Sequence, residues 1–184
     1  MGIIAIAALS SCSDDDTGPL SDDQLPGTVV ATESGGSGVP SATLCPKLTQ
    51  VQQEVVVSGT TADEDRSRSW SYRLDDGTWV AVTVAETGYP YEDTDDALAA
   101  VEDAVVACAD RDVAPIDDAP EGSVGYSSTR TDSNGTSEGE TLVATAGDRV
   151  VLVAATHDRG AEPSVDVRDL LSDVQDSAPD LDLS

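Results

Sequence analysis

Val150, Val151, Leu152, Val153, Ala154 and Ala155 form an apolar run with no polar residue inside it. Side chains of a strand point alternately to its two faces, so a strand wet on one face alternates apolar and polar residues. A strand without that alternation is central and covered on both faces. The rest of the chain must therefore supply a sheet around this strand and material on each side of it. With no Phe and one Met, the core must be built from Val, Ala and Leu around Trp70, Trp79 and four Tyr.

Several stretches can supply those layers. Glu140 to Ala146 and Arg149 to Thr156 read as a hairpin over Gly147-Asp148, preceded by a strand from Val124 to Thr131 and a turn at Asp132-Ser133-Asn134-Gly135. Arg68 to Ala85 reads as a second hairpin around Asp75-Asp76-Gly77, with two registers open. A two-residue turn puts Trp70, Tyr72 and Leu74 on one face with Trp79, Ala81 and Thr83. A three-residue loop, with Gly77 left-handed as a G1 bulge, groups them with Val80, Val82 and Val84 instead. A slip of one residue exchanges the faces completely. The second register is the consistently amphipathic one, and it leaves Trp79 on the polar face. Thr94 reads as the N-cap of a helix with Asp95 and Asp96 in its first turn. Ala97, Leu98, Val101, Ala104, Val105 and Cys108 then recur at helical spacing. A last helix is expected to start near Pro163, a favoured first-turn proline, with Val167, Leu170, Leu171 and Val174 as its stripe and Ala178-Pro179 as its end. Thr28 to Ala31 reads as a short strand. Val55-Val56-Val57 reads as part of a strand after a helical turn, and residues 110–122 read as loop. The fold class is α+β: a twisted antiparallel sheet with two main helices packed on it.

Leu9-Ser10-Ser11-Cys12 closes an apolar run that begins at Gly2 and opens onto Ser13-Asp14-Asp15-Asp16. An aliphatic residue, two small residues and a cysteine resemble a bacterial lipobox, whose cysteine is lipidated on sulfur and becomes the new N-terminus. The apolar run has the length of a signal-peptide core and is too short to span a bilayer. No Lys or Arg precedes Cys12, so the basic part of the signal is expected upstream of Met1. The expected organisation is a signal peptide over 1–11, an acidic tether over 12–24 and a folded domain over 25–180. The protein is then expected at the cell membrane, lipid-anchored on its extracytoplasmic face. The formal charge of −27, from 36 acidic and 9 basic residues, excludes a nucleic-acid partner. It equally excludes docking on anionic lipid, so the membrane contact is expected through the lipid itself. With Cys12 as the anchor, Cys45 and Cys108 are expected to form a disulfide, two unpaired buried thiols being the alternative. His157 is the only histidine and no CxxC pair occurs, so no zinc site, metal or other cofactor is expected.

Three stretches bring one family to mind. Leu20 to Glu33 (LSDDQLPGTVVATE) is similar to the opening of actinobacterial lipoproteins with a PknH-like extracellular sensor domain. Ala97 to Cys108 (ALAAVEDAVVAC) resembles the central helix of that family. Ala146 to Gly160 (AGDRVVLVAATHDRG), with the amphipathic helix after it, resembles its closing strand and helix. The resemblance spans residues 19–178. It implies an antiparallel sheet carrying helices, a ligand-binding cleft and no established reaction. The kinase sensor domain has two disulfides where this chain can make only Cys45–Cys108, and no kinase domain accompanies it, so a signal would pass to another protein. The expected function is a sensor-type ligand-binding domain without catalysis, its partner an unknown small molecule. A structural or assembly role in the envelope, with a protein partner, is the other reading.

Residues that could carry chemistry are few. No Gly-x-Ser-x-Gly elbow occurs, and no thiol is left for nucleophilic work. His157 reads as a surface residue in a loop. Acidic clusters at 63–65, 92–96 and 117–121 read as solvated loops. Placing Gly135 at the invariant glycine of a calcium loop puts Arg130 and Thr141 at its first and last ligand positions, and neither is a ligand there. Arg73, Trp79, Tyr89 and Tyr91 gather around one hairpin and its exit loop. They are the expected cleft wall, with burial of Trp79 under a loop as the alternative.

Overall fold

The computed structural model describes residues 18–35, 45–57, 66–109, 112–133, 135–161 and 163–183. Cys12, the apolar run before it and the acidic residues 63–65 lie outside the described residues. Seven strands follow the chain: β1 (Val29–Gly35), β2 (Ser67–Leu74), β3 (Trp79–Glu86), β4 (Val113–Pro115), β5 (Ser123–Asp132), β6 (Gly135–Ala146) and β7 (Arg149–Asp158). The helices are α1 (Pro46–Val57), α2 (Thr94–Cys108) and α3 (Val167–Ser177), with a short 3₁₀ turn at Ala178–Asp180. The strands make one antiparallel sheet in the order β1-β2-β3-β7-β6-β5-β4.

The run without alternation is thus the middle strand of seven. Its odd residues Val151, Val153 and Ala155 join a core with Leu142, Ala144, Val80, Val82, Val84, Trp70 and Tyr72, closed by Val167, Leu170, Leu171 and Val174 of α3. Its even residues Val150 and Leu152 join a second core with Val143 and Tyr126, closed by α1 and α2. Each such side chain removed from water contributes roughly 1.5–3 kcal/mol, so β7 is the strand whose loss would cost most. The β2–β3 hairpin has the three-residue loop. Arg73 pairs with Trp79 and Tyr72 with Val80, the Leu74 N–H donates to the Thr78 carbonyl at 2.9 Å, and Gly77 sits at φ +89°. Only glycine adopts that conformation without strain.

Several expectations need correction. Val55-Val56-Val57 is the last turn of α1, a third helix, and not part of a strand. Leu48, Val51, Gln52, Val55 and Val56 are buried, which is the i, i+3, i+4, i+7, i+8 spacing of a helix face. Packing against α2 outweighs the β-preference of the valines, and Pro46 stands at the first helical position, where its missing N–H is no loss. The cap of α2 is Asp93, one residue before Thr94, and its side chain accepts from the Asp96 N–H at 2.9 Å. The stretch 110–122 contains the short strand β4, paired with β5, and α3 starts at Val167 behind Asp166 as N-cap, four residues after Pro163. The folded part is also wider than 25–180. Leu20 is 4% and Leu183 5% exposed, and both belong to the α3-side core. A Cβ on Gly18 would run into the Tyr72 hydroxyl and lie 2.9 Å from Cδ1 of Trp70.

Cys45 and Cys108 form a disulfide with Cα atoms 6.0 Å apart. It joins the start of α1 to the end of α2. At the other end of that helix pair, the Tyr91 hydroxyl donates to Oε2 of Glu54 at 3.2 Å.

Candidate functional site: a polar cavity at the open end of the α3 face

Helix α3 covers one end of β6 and β7, and beyond it the same sheet face changes character. On β6 the positions facing α3 are Leu142, Ala144 and Ala146. Two and four residues earlier, strand alternation puts Glu140 and Glu138 on that face. On β7, Val151, Val153 and Ala155 lead to His157. The antiparallel register then builds two rungs across three strands. Thr129, Glu138 and His157 stand side by side, and so do Ser127, Glu140 and Ala155. Successive rungs are about 7 Å apart. With Pro163 and Val165 from the β7–α3 connection, these residues line an open cavity of about 310 Å³.

Position 139, between the two glutamates, has room for nothing larger than glycine. A Cβ there would lie 2.7 Å from the Ala155 carbonyl oxygen, which is backbone in the neighbouring strand and cannot swing aside.

The charges around the cavity are paired at its edge. Oε1 of Glu138 lies 3.0 Å from Nε of Arg159. Arg168, in the first turn of α3, reaches Oδ1 of Asp118 at 2.8 Å, Oδ1 of Asp166 at 3.3 Å and Oε2 of Glu140 at 3.6 Å. It thereby ties the loop after β4 and strand β6 to the helix. The hydrogen bond from Arg168 holds the Asp118 carboxyl below the usual carboxylate range. Nδ1 of His157 lies 3.0 Å from the carbonyl oxygen of Asp158. That oxygen can only accept, so Nδ1 carries a proton and donates it.

The expected aromatic wall is not assembled. The Arg73 guanidinium stacks over the Trp79 ring at 5.6 Å, and Trp79 is 41% exposed. The pair stands at the hairpin end of β3. Tyr89 and Tyr91 follow β3 at its other end, about 24 Å along an eight-residue strand. Tyr89 is exposed. Tyr91 is half-buried against α1, and burial, helped by the Glu54 carboxylate, pushes its hydroxyl up to about 12. Ten positions separate Trp79 from Tyr89 in sequence, and β3 itself spans that gap. The Arg73–Trp79 pair also lies on the reverse side of the sheet from the cavity, because Trp79 pairs with Thr156 while His157 faces the other way.

His157, expected as a loop residue at the surface, is instead a half-buried residue of β7 that lines the cavity. Ser127, Thr129, Glu138 and Glu140 were not anticipated. The signal that finds them is the pairing register: continuing each apolar face past the end of its covering helix leads onto these polar residues.

Among the described residues, no group of three or more His, Cys, Asp or Glu side chains could hold a metal ion. No helix among them is long and apolar enough to cross a membrane. Compared with protein-family models, curated proteins and solved structures, the chain finds no match.

Proposed function

We propose that this protein is an extracytoplasmic lipoprotein, anchored through Cys12, whose domain binds a small molecule in the cavity on the α3 face and does not transform it. The observation that carries the binding role is that cavity. Its floor is held by three paired strands, its wall by the β7–α3 connection, and a few polar groups converge on it beside the apolar Ala155, Pro163 and Val165. Concave sites on which a few placed polar groups converge are where proteins take up small ligands. The oxidised Cys45–Cys108 pair supports export, since such bonds persist outside the reducing cytosol. The resemblance to PknH-like sensor domains points the same way.

The test is native mass spectrometry on protein isolated from its own membranes. The expected result is a lipid-modified N-terminus that is lost in Cys12→Ala, and a bound small molecule that is lost in Glu140→Ala. An unmodified cysteine sinks the anchor. Protein that carries nothing in every preparation sinks the binding role.

A further inference from the structure

The cavity's hydrogen-bonding groups are unbalanced, and the imbalance identifies what fits. This inference rests on the binding role just proposed. Of the lining side chains, the Glu138 and Glu140 carboxylates only accept, and Nδ1 of His157 is already engaged by the Asp158 carbonyl. The Ser127 hydroxyl donates away from the cavity, to the Ala114 carbonyl at 3.4 Å, which leaves its lone pairs. Thr129 adds a hydroxyl of either sense. No Lys or Arg lines the space. Arg159 and Arg168 engage one oxygen each of Glu138 and Glu140 from outside. A ligand that satisfies this set must bring the donors itself.

Charge selects among donors. A molecule of formal charge −27 repels anions and concentrates cations at its surface, and a concave acidic site focuses that field. Ala155, Pro163 and Val165 offer an apolar strip alongside the carboxylates, suited to methylene groups. We propose that the cavity takes a small organic cation with N–H donors on an alkyl chain, such as a primary alkylammonium or alkylguanidinium compound.

His157 is the chain's only histidine, so its imidazole Cε1–H gives one unambiguous proton NMR signal for occupancy. The full-length protein is titrated at constant pH in 0.3 M NaCl with agmatine, and separately with neutral myo-inositol. Agmatine should move the signal saturably, and the double variant Glu138→Gln/Glu140→Gln should weaken this at least tenfold with its near-UV circular dichroism unchanged. If the double variant does not fold, Glu140→Gln alone serves, with a loss of at least threefold expected. A shift with inositol and none with agmatine overturns the cation and leaves the binding role standing. No shift with either overturns the cation and leaves the binding role to the mass-spectrometric test. An agmatine shift that survives the carboxylate variants places the cation elsewhere on the acidic surface and also overturns the proposal.

Discussion

Gln52 is a polar residue on the apolar stripe of α1, fully buried, and its Nε2 donates to the Tyr126 hydroxyl. That hydroxyl also meets Thr141, while Oε1 of Gln52 has no partner. A buried polar atom left unmatched costs about 1–3 kcal/mol, more than a made hydrogen bond returns. Tyr126→Phe strips Gln52 of its one bond and should lower stability by that amount. Gln52→Leu combined with Tyr126→Phe should recover more than half of the loss, since both polar atoms of the amide then leave the core. Urea midpoints at constant slope measure this; additive losses would show that the two side chains do not act as a pair. Tyr72 and Tyr91 act through pH. Burial pushes both hydroxyls up to about 12, and for Tyr91 the Glu54 carboxylate adds to it. An unfolded tyrosine titrates near 10. The fold therefore favours the neutral phenols. The stability this gives is complete below pH 10 and is lost as pH rises through 12. Stability should fall steeply across that window, and Tyr91→Phe should make the fall shallower. An unchanged slope in the variant would remove Tyr91 from the account.

At the scale of elements, the helix pair α1–α2 hangs on Cys45–Cys108 at one end and on Glu54–Tyr91 at the other. The disulfide spans a sequence separation of 63 residues. Closing a loop of that size restricts the unfolded chain by about 4 kcal/mol before any opposing strain. In a chain of this size that corresponds to roughly 10 °C in melting temperature. Cys45→Ala/Cys108→Ala should lose stability on that order and keep the α3-side core intact, since neither cysteine touches it. A scan that shows no loss would mean the helix layer is held by packing alone. The same layer shows what the sequence made legible. Helix α2 could be read because its apolar residues recur without interruption up to Cys108. Helix α1 could not, because three consecutive valines imitate a strand and the helical stripe becomes clear only once Gln52 is known to be buried. The central position of β7 and the register of the β2–β3 hairpin were legible from alternation and one glycine. The cavity was not: its residues come from β5, β6, β7 and the β7–α3 connection, and they are brought together only by a pairing register and by where α3 happens to begin.

For the whole molecule, charge is the dominant unspent stress. Thirty-six acidic residues stand against nine basic ones. The ion pairs of Arg168, Arg159 and Arg130 are surface pairs, worth at most about 1 kcal/mol each. Salt weakens those pairs, but it also screens the repulsion within the large excess of carboxylates. The second effect involves far more charges and acts over longer distances. The Debye length falls from about 30 Å at 0.01 M to about 3 Å at 1 M, from the size of the domain to that of a single contact. Unfolding spreads the carboxylates apart, so repulsion at low salt favours the unfolded chain. The melting temperature should therefore rise monotonically between 0.01 M and 1 M NaCl, most steeply below 0.2 M. Chloride and nitrate salts of sodium should act alike over the steep part, because screening there depends on ionic strength and not on ion identity. A melting temperature that falls with added salt would mean that the few arginine pairs outweigh the general repulsion, and the acidic surface would then need a bound cation to account for it.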